Sequence, residues 1–90
     1  MRIDILSKPE AGRRANQALT NVREALRNLN VEAEVHLYRD RRKMIDNRVY
    51  VSPALLIDDD VRIAGRVPTV DEIEKLLVSR TQYHRRLEVA

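Results

Sequence analysis

The chain contains no cysteine among its 90 residues. Thiol–disulfide exchange needs a thiolate that attacks a disulfide sulfur, so the chain cannot perform this reaction with a residue of its own. The same absence excludes disulfide cross-links within the chain, thiolate-ligated metal sites and cysteine nucleophiles. A function must therefore come from the other side chains and from the backbone.

Several other residue types are scarce. The sequence has no Trp or Phe, three Tyr and two Gly, so we expect an aliphatic core and no glycine-rich loop that could hold phosphates. No apolar run approaches the roughly 20 residues of a membrane span. Asp4 interrupts the short apolar run at the N-terminus, which is unlike a secretory signal. We therefore expect one soluble cytoplasmic domain that does not contact a membrane.

The charge is modest and unevenly distributed. The net charge is +3, fourteen of the seventeen basic residues are Arg, and residues 1–44 hold ten basic against six acidic residues. Guanidinium groups suit bidentate contacts with carboxylates and phosphates. The densest basic clusters are Arg39, Arg41, Arg42 with Lys43, and Arg80, Arg85 with Arg86. Three tyrosines offer little base stacking, so a solvated charged face is the simpler interpretation, and weak nucleic-acid binding is the alternative.

The first half of the chain predicts a strand, a long helix and a second strand. Ile3, Ile5 and Leu6 indicate the first strand. Ser7-Lys8-Pro9-Glu10 has the pattern of a capping box, which predicts that the helix begins there. A helical apolar stripe follows, and strict alternation over residues 31–38 then indicates a half-covered strand. The stripe consists of Ala11, Ala15, Ala18, Leu19, Val22, Leu26 and Leu29.

The second half predicts a short helix, a hairpin and a final helix. Met44-Ile45 indicates one or two helical turns. Two β-type runs flank the triplet 58–60, where Asp accepts the left-handed conformations of a hairpin turn. Thr69-Val70-Asp71-Glu72 is a second capping box, which opens a helix towards Tyr83. The order β-α-β-α-β-β-α predicts an α/β fold with a four-stranded mixed sheet. A ferredoxin-like α+β sandwich is the rival architecture.

This order resembles the thioredoxin/glutaredoxin superfamily, in particular the small archaeal and bacterial proteins known as redox-active disulfide proteins. The resemblance covers residues 1–78 and implies a thioredoxin-like domain there, with residues 79–90 as a C-terminal extension that we expect to be helical or docked. A homodimer built through this tail is a further expectation. The segments that carry the resemblance are Asn21-Val22-Arg23-Glu24-Ala25-Leu26, Val31-Glu32-Ala33-Glu34-Val35, Ser52-Pro53-Ala54-Leu55 and Ala64-Gly65-Arg66-Val67-Pro68.

The resemblance also implies where a site would lie. The family carries two cysteines as C-x-x-C at the start of the first helix; they fall on Gly12 and Ala15 in one register and on Glu10 and Arg13 in the other. Ser52-Pro53 matches the family's cis-proline, and in the family the backbone just before this proline pairs with an extended substrate peptide. The resemblance therefore implies that Val51, Ser52 and Pro53 form a peptide-binding segment without the reactive group.

A small-anion site is a second candidate. The N-terminus of the first helix offers free N–H groups and the positive end of the helix dipole. Lys8, Gly12, Arg13 and Arg14 lie there, and the fold that the resemblance implies brings Arg66 nearby. Solvated helix-surface charge is the competing interpretation.

Catalytic and metal-binding patterns are not evident. Three adjacent Asp residues at 58–60 do not supply the six or more spaced oxygens of a calcium site, and His36 and His84 alone do not make a metal site. Ser7, Ser52 and Ser79 lack a triad context. We predict a redox-inactive module that binds a protein, a peptide or a small anion, without cofactor, metal or catalytic residue. The alternative is an enzyme that handles a small anionic substrate with the three arginines at 13, 14 and 66.

Overall fold

The structure, a computed structural model, describes residues 1–10 and 12–89, with side chains described for 1–10 and 12–79. The predicted order of elements and the mixed α/β class are confirmed. The elements are β1 (Arg2–Ser7), α1 (Gly12–Leu29), β2 (Glu34–Arg39), α2 (Arg41–Asp46), β3 (Ala54–Ile57), β4 (Asp60–Ala64) and α3 (Val70–Val89).

The four strands form one mixed sheet in the order β2-β1-β3-β4. β1 and β2 are parallel, as a helical crossover between consecutive strands requires. β3 is antiparallel to β1, and β4 is antiparallel to β3. The ferredoxin-like alternative is excluded, because α1 connects two adjacent parallel strands, whereas a ferredoxin-like sheet has another strand between them.

The core is aliphatic and lies on both faces of the sheet. Side chains from α1, α3 and one face of the sheet form the larger cluster, in which Ile3, Ile5 and Leu77 are fully buried. α2 covers part of the opposite face. The smaller cluster there consists of Leu6, Met44, Val49, Ala54 and Leu56, with Tyr38 packed against it.

The hairpin uses left-handed residues, as predicted, and the residue after α1 is also left-handed. Asp58 and Asp59 have φ values of 48° and 72°, and two positive φ values in a two-residue loop are typical of a type I′ turn. Asn30, with φ of 54°, follows the last residue of α1. The amide of Asn30 donates to the carbonyl of Arg27, and the amide of Val31 donates to that of Leu26. These two bonds form a Schellman motif, which ends the helix.

The predicted start of α1 is wrong. Ser7 is the last residue of β1, is fully buried and pairs with Arg39 of β2, and its hydroxyl donates to the carbonyl of Lys8. The helix begins five residues later, at Gly12. The pairing of Ser7 in the sheet overrides the local capping pattern, so Ser7 and Glu10 do not form a capping box. Ala11, the first residue of the predicted stripe, lies outside the described residues.

The predicted capping box at the start of α3 is confirmed. The amide of Thr69 donates to the Glu72 carboxylate, and the amide of Glu72 donates to the Thr69 hydroxyl. α3 then continues to Val89. The predicted docking of the 79–90 extension depends on side chains outside the described residues, so it stays a prediction. None of the described helices is long and apolar enough to cross a membrane.

Candidate functional site

Three segments meet at one end of the molecule: the start of α1, the loop before β3 and the loop after β4. The amide of Gly65 donates to the carbonyl of Pro53 over 2.9 Å. The guanidinium of Arg14 donates to the carbonyl of Gly65 over 3.2 Å. The Ser52–Pro53 peptide bond is cis. The segments that the sequence predicted to lie together are therefore joined by hydrogen bonds through Gly65.

Gly65 makes a close approach that requires glycine. Its φ is +88°, a conformation that side chains disfavour. A Cβ atom built there would lie 3.2 Å from Cγ2 of Val51. A side chain at residue 65 would therefore adopt a disfavoured backbone conformation and displace the Val51 side chain by a few tenths of an ångström.

The backbone ahead of Pro53 forms an open edge, which we call the docking edge and define as Tyr50, Val51 and Ser52. Tyr50 is 70% exposed and Val51 is 52% exposed, whereas Pro53 is buried. Within the described residues, no backbone hydrogen bond involves any of the three, and β3 begins only at Ala54. This edge therefore combines peptide groups without a backbone partner among the described residues with two exposed side chains, Tyr50 and Val51.

A small apolar pocket adjoins the docking edge, and we call it the α2 pocket. Its volume is about 140 Å³. Met44 and Val49 are buried, and Ile45 and Tyr50 stand exposed beside them. The lining residues are Lys8, Arg41, Met44, Ile45, Val49 and Tyr50.

Sequence reasoning missed the α2 pocket. The only available signal was that apolar residues flank the polar turn Asp46-Asn47-Arg48 on both sides. Nothing in that local pattern indicates that Lys8, far away in sequence, lines the same cavity.

The residues predicted to hold a small anion are placed near one another but not around one point. Gly12 begins α1, and Arg13 on the first turn is exposed. Lys8 lines the α2 pocket instead. The guanidinium of Arg66 forms a bidentate pair with Glu72, at 2.7 and 2.5 Å. Two of the candidate cations, Arg14 and Arg66, are thus engaged by groups of the chain itself.

The comparisons with known proteins agree with this architecture. Residues 1–78 match the family model described as a thioredoxin domain. The chain belongs to the thioredoxin family. It is 32% identical over 57 residues to a thioredoxin of Methanothermobacter thermautotrophicus, a match that covers 63% of this chain and 74% of that protein. It is 32% identical over 66 residues to a thioredoxin of Methanocaldococcus jannaschii, covering 73% of this chain and 76% of that protein.

The cysteine positions of the thioredoxin family hold other residues here. α1 begins at Gly12, so the register that places the cysteines on Gly12 and Ala15 sets the first of them at the start of the helix. Ala15 is fully buried against the core. The other register would use Glu10 and Arg13, which are both exposed. In either register this thioredoxin-family chain presents no sulfur.

Ion pairs set the charge state of the loops around the site. The Arg66 guanidinium, by hydrogen bonding, lowers the pKa of Glu72 to about 2, and the backbone amide of Thr69 adds to this effect. The pKa of Glu10 is lowered by its own backbone amide first and by Arg41 second. The pair of Glu10 and Arg41 connects the loop before α1 with α2. Both carboxylates are therefore anions at neutral pH.

The described side chains offer recognition more readily than catalysis. Among the described residues, no group of three or more His, Asp or Glu is arranged to hold a metal ion. The site instead combines an apolar pocket and nearby cations with the peptide groups of the docking edge, which make no backbone hydrogen bond within the described residues. Such a combination can pair with a peptide backbone and accept one apolar side chain.

Proposed function

We propose that this thioredoxin-family protein is a redox-inactive module that binds an extended polypeptide segment of a partner protein at the docking edge. The observation that carries the proposal is the backbone at Val51 and Ser52, which makes no backbone hydrogen bond within the described residues, with the exposed side chains of Tyr50 and Val51 beside it.

Peptide addition to a free backbone edge is an established mode of recognition. Main-chain hydrogen bonds supply affinity, and pockets for alternate side chains supply specificity. The docking edge offers main-chain groups for hydrogen bonding, and the α2 pocket beside Tyr50 offers a pocket for a side chain. The resemblance to the thioredoxin/glutaredoxin superfamily supports the same location, because its members pair with extended substrates just before the matching proline. Loss of the cysteines removes the chemistry and leaves this edge available.

The small-anion alternative has less support. Its arginines at positions 14 and 66 donate to Gly65 and Glu72, so binding an anion would cost those contacts. An enzyme acting on a small anionic substrate would need the same two side chains. Cytoplasmic localisation and a homodimer through residues 79–90 stay predictions.

Selection from a displayed library of random twelve-residue peptides tests the proposal. The wild-type protein serves as bait, and the selected peptides are then titrated against Val51→Asp and Tyr50→Asp. A matched control is Val61→Asp, because Val61 lies on β4, at the opposite side of the hairpin from β1, and is 45% exposed. We expect the first two variants to lose binding and the control to keep it. Failure to select any peptide, or equal loss in all three variants, would contradict the proposal.

A second experiment tests whether the peptide pairs with the docking edge through its backbone. In an extended peptide that pairs along one edge, alternate amides point towards the protein. Two versions of a selected peptide are therefore synthesised, with N-methyl groups on the odd or on the even residues. We expect one version to lose binding and the other to retain most of it. Equal affinity of both versions would show that the peptide does not add to the edge as a strand.

A further inference from the structure

The structure brings together basic residues that are separate in sequence. One is Lys8, which directly follows β1, and the others belong to the basic run 39–43 at the start of α2. Arg41 bonds to Glu10 in the loop before α1, and Arg39 bonds to Asn16 on α1. Lys8 and Arg41 line the same α2 pocket. Two cations that are distant in sequence therefore line one cavity.

The inside of this cavity is apolar. Its volume of about 140 Å³ is close to that of an engineered apolar cavity of roughly 150 Å³ that binds benzene. Met44 and Val49 are 3% exposed and close the floor. Ile45, 60% exposed, forms an open wall. The α2 pocket thus has room for one bulky aliphatic or aromatic side chain.

The charged side chains that line the pocket are both basic, Lys8 and Arg41. Residues 39–48, which include Arg41, contain five basic and two acidic residues. The Glu10 carboxylate forms an ion pair with Arg41. Charge complementarity therefore favours a ligand whose carboxylates flank an apolar group.

We propose that the partner segment carries one bulky apolar residue flanked by Asp or Glu, that the apolar side chain enters the α2 pocket, and that the carboxylates pair with Lys8 and Arg41. This inference rests on the proposed function, because it assigns the chemistry of the segment that lies along the docking edge. Lys8, exposed at one side of the pocket, makes the first contact with a flanking carboxylate. Arg41 makes the second contact by exchanging Glu10 for the partner's carboxylate.

A protein segment fits this surface better than a nucleic acid does. Nucleic acids bind through phosphate contacts and stacking of bases on aromatic rings. Tyr50 is the exposed aromatic ring at the α2 pocket, whereas the floor is formed by Met44 and Val49. A base would find one ring to stack on, while an aliphatic side chain would find a matching cavity.

The composition of the peptides selected on the wild-type protein is the first test. We expect Asp and Glu to be enriched on both sides of one Leu, Ile, Met or Phe. Enrichment of neutral or basic peptides that still depend on Val51 would overturn this inference and leave the proposed function intact. A selection that yields no peptide at all would overturn both.

Variants at the rim and the wall test the contacts separately. Lys8→Glu should lower the affinity for a selected peptide by about three- to tenfold at low salt, the size expected for reversing an exposed charge. Its matched control is Arg23→Glu, which changes the net charge equally at an exposed position on α1. Ile45→Asp should lower the affinity for the same peptide by about tenfold or more, since it places a charge against the apolar side chain of the peptide.

Glu10→Gln gives a test in the opposite direction. Removing this carboxylate frees Arg41 for the ligand, so we expect acidic peptides to bind about two- to fivefold more tightly, within the range of one exposed ion pair. A variant that merely disturbs the fold would weaken binding instead. Unchanged or lower affinity in Glu10→Gln would overturn the assigned role of Arg41.

A nucleic-acid ligand is tested with a twenty-nucleotide single-stranded DNA at the same salt concentration. We expect the wild-type protein to bind it more weakly than the selected acidic peptides do. Tighter binding of the DNA, lost in Lys8→Glu, would overturn the inference and reassign the surface to nucleic acid.

Discussion

Gly65 donates its backbone amide to the carbonyl of Pro53 over 2.9 Å, which fixes the loop after β4 against the segment that carries the docking edge. The same glycine accepts a hydrogen bond from Arg14 of α1 through its carbonyl. One residue thus joins the three segments of the candidate site. The positive φ of Gly65 and its contact with Val51 explain why this position needs a glycine.

Gly65→Ala tests this relationship. The substitution places a side chain in a left-handed conformation, which costs about 1–2 kcal/mol, and pushes against Val51. We expect a lower free energy of unfolding in urea and weaker binding of selected peptides. Gly12→Ala is the matched control, because a Cβ atom there meets nothing within 4 Å. Equal stability of the two variants would contradict the account of Gly65.

The buried carboxylate of Asp4 depends on Arg2. Asp4 is 5% exposed, and the Nε atom of Arg2 donates to both of its oxygens, at 3.1 and 3.2 Å. We expect Arg2→Met to lower the urea midpoint clearly, because a buried charge without its partner is costly. Tyr38→Phe removes only the hydroxyl that accepts from Arg2, at 2.9 Å, and should cost less. The opposite ranking would show that the pair does not stabilise the sheet.

The pair of Arg66 and Glu72 makes stability depend on pH. The pKa of Glu72 is lowered from 4.5 to about 2 in the folded protein, with the Arg66 guanidinium as the main cause. A lowered folded pKa gives stability that is present above pH 4.5 and is lost as the pH falls towards 2. We expect the Tm difference between wild type and Glu72→Gln to decrease as the pH falls from 4.5 towards 2.

The control for this pH dependence is Glu24→Gln, at an exposed position on α1. Its Tm difference from the wild type should change less over the same window. A constant difference between wild type and Glu72→Gln from pH 6 to pH 2 would contradict the role given to the pair.

The two residues of the hairpin turn should respond differently to glycine. Asp59 has a φ of 72°, so Asp59→Gly relieves a disfavoured conformation and should stabilise the protein by about 0.5–1 kcal/mol. Asp58 also has a positive φ, but its carboxylate accepts a hydrogen bond from the amide of Arg2 over 2.8 Å. We therefore expect Asp58→Gly to give less stabilisation or a net loss in urea denaturation. Equal stabilisation by the two substitutions would mean that the hydrogen bond between Asp58 and Arg2 does not contribute to stability.

Local patterns predicted much of the fold. The apolar stripe of α1, the left-handed turn at Asp58 and Asp59, and the capping box at Thr69 and Glu72 are each decided by neighbours in sequence. The predicted start of α1 is wrong because it depends on a residue that is distant in sequence. Ser7 has a local capping pattern, but its parallel pairing with Arg39 of β2, distant in sequence, keeps it in the strand.

The candidate site was predictable only in part. The neighbourhood of Arg14, Pro53 and Gly65 followed from the resemblance, which supplies the topology. The α2 pocket did not, since it depends on how Met44 and Ile45 pack beside Lys8. The engagement of Arg66 by Glu72 was also missed, although the two residues are only six apart, because their pairing depends on the loop geometry before α3.

Amide hydrogen exchange at the docking edge tests the central claim most directly. The exchange rates of the Val51 and Ser52 amides are measured by NMR on the ¹⁵N-labelled protein, without and with a saturating selected peptide. We expect exchange of at least one of these two amides to slow by about tenfold or more, while the amide of Val61, an exposed residue on β4, keeps its rate. Unchanged exchange at both Val51 and Ser52 in the saturated complex would contradict peptide binding at this edge.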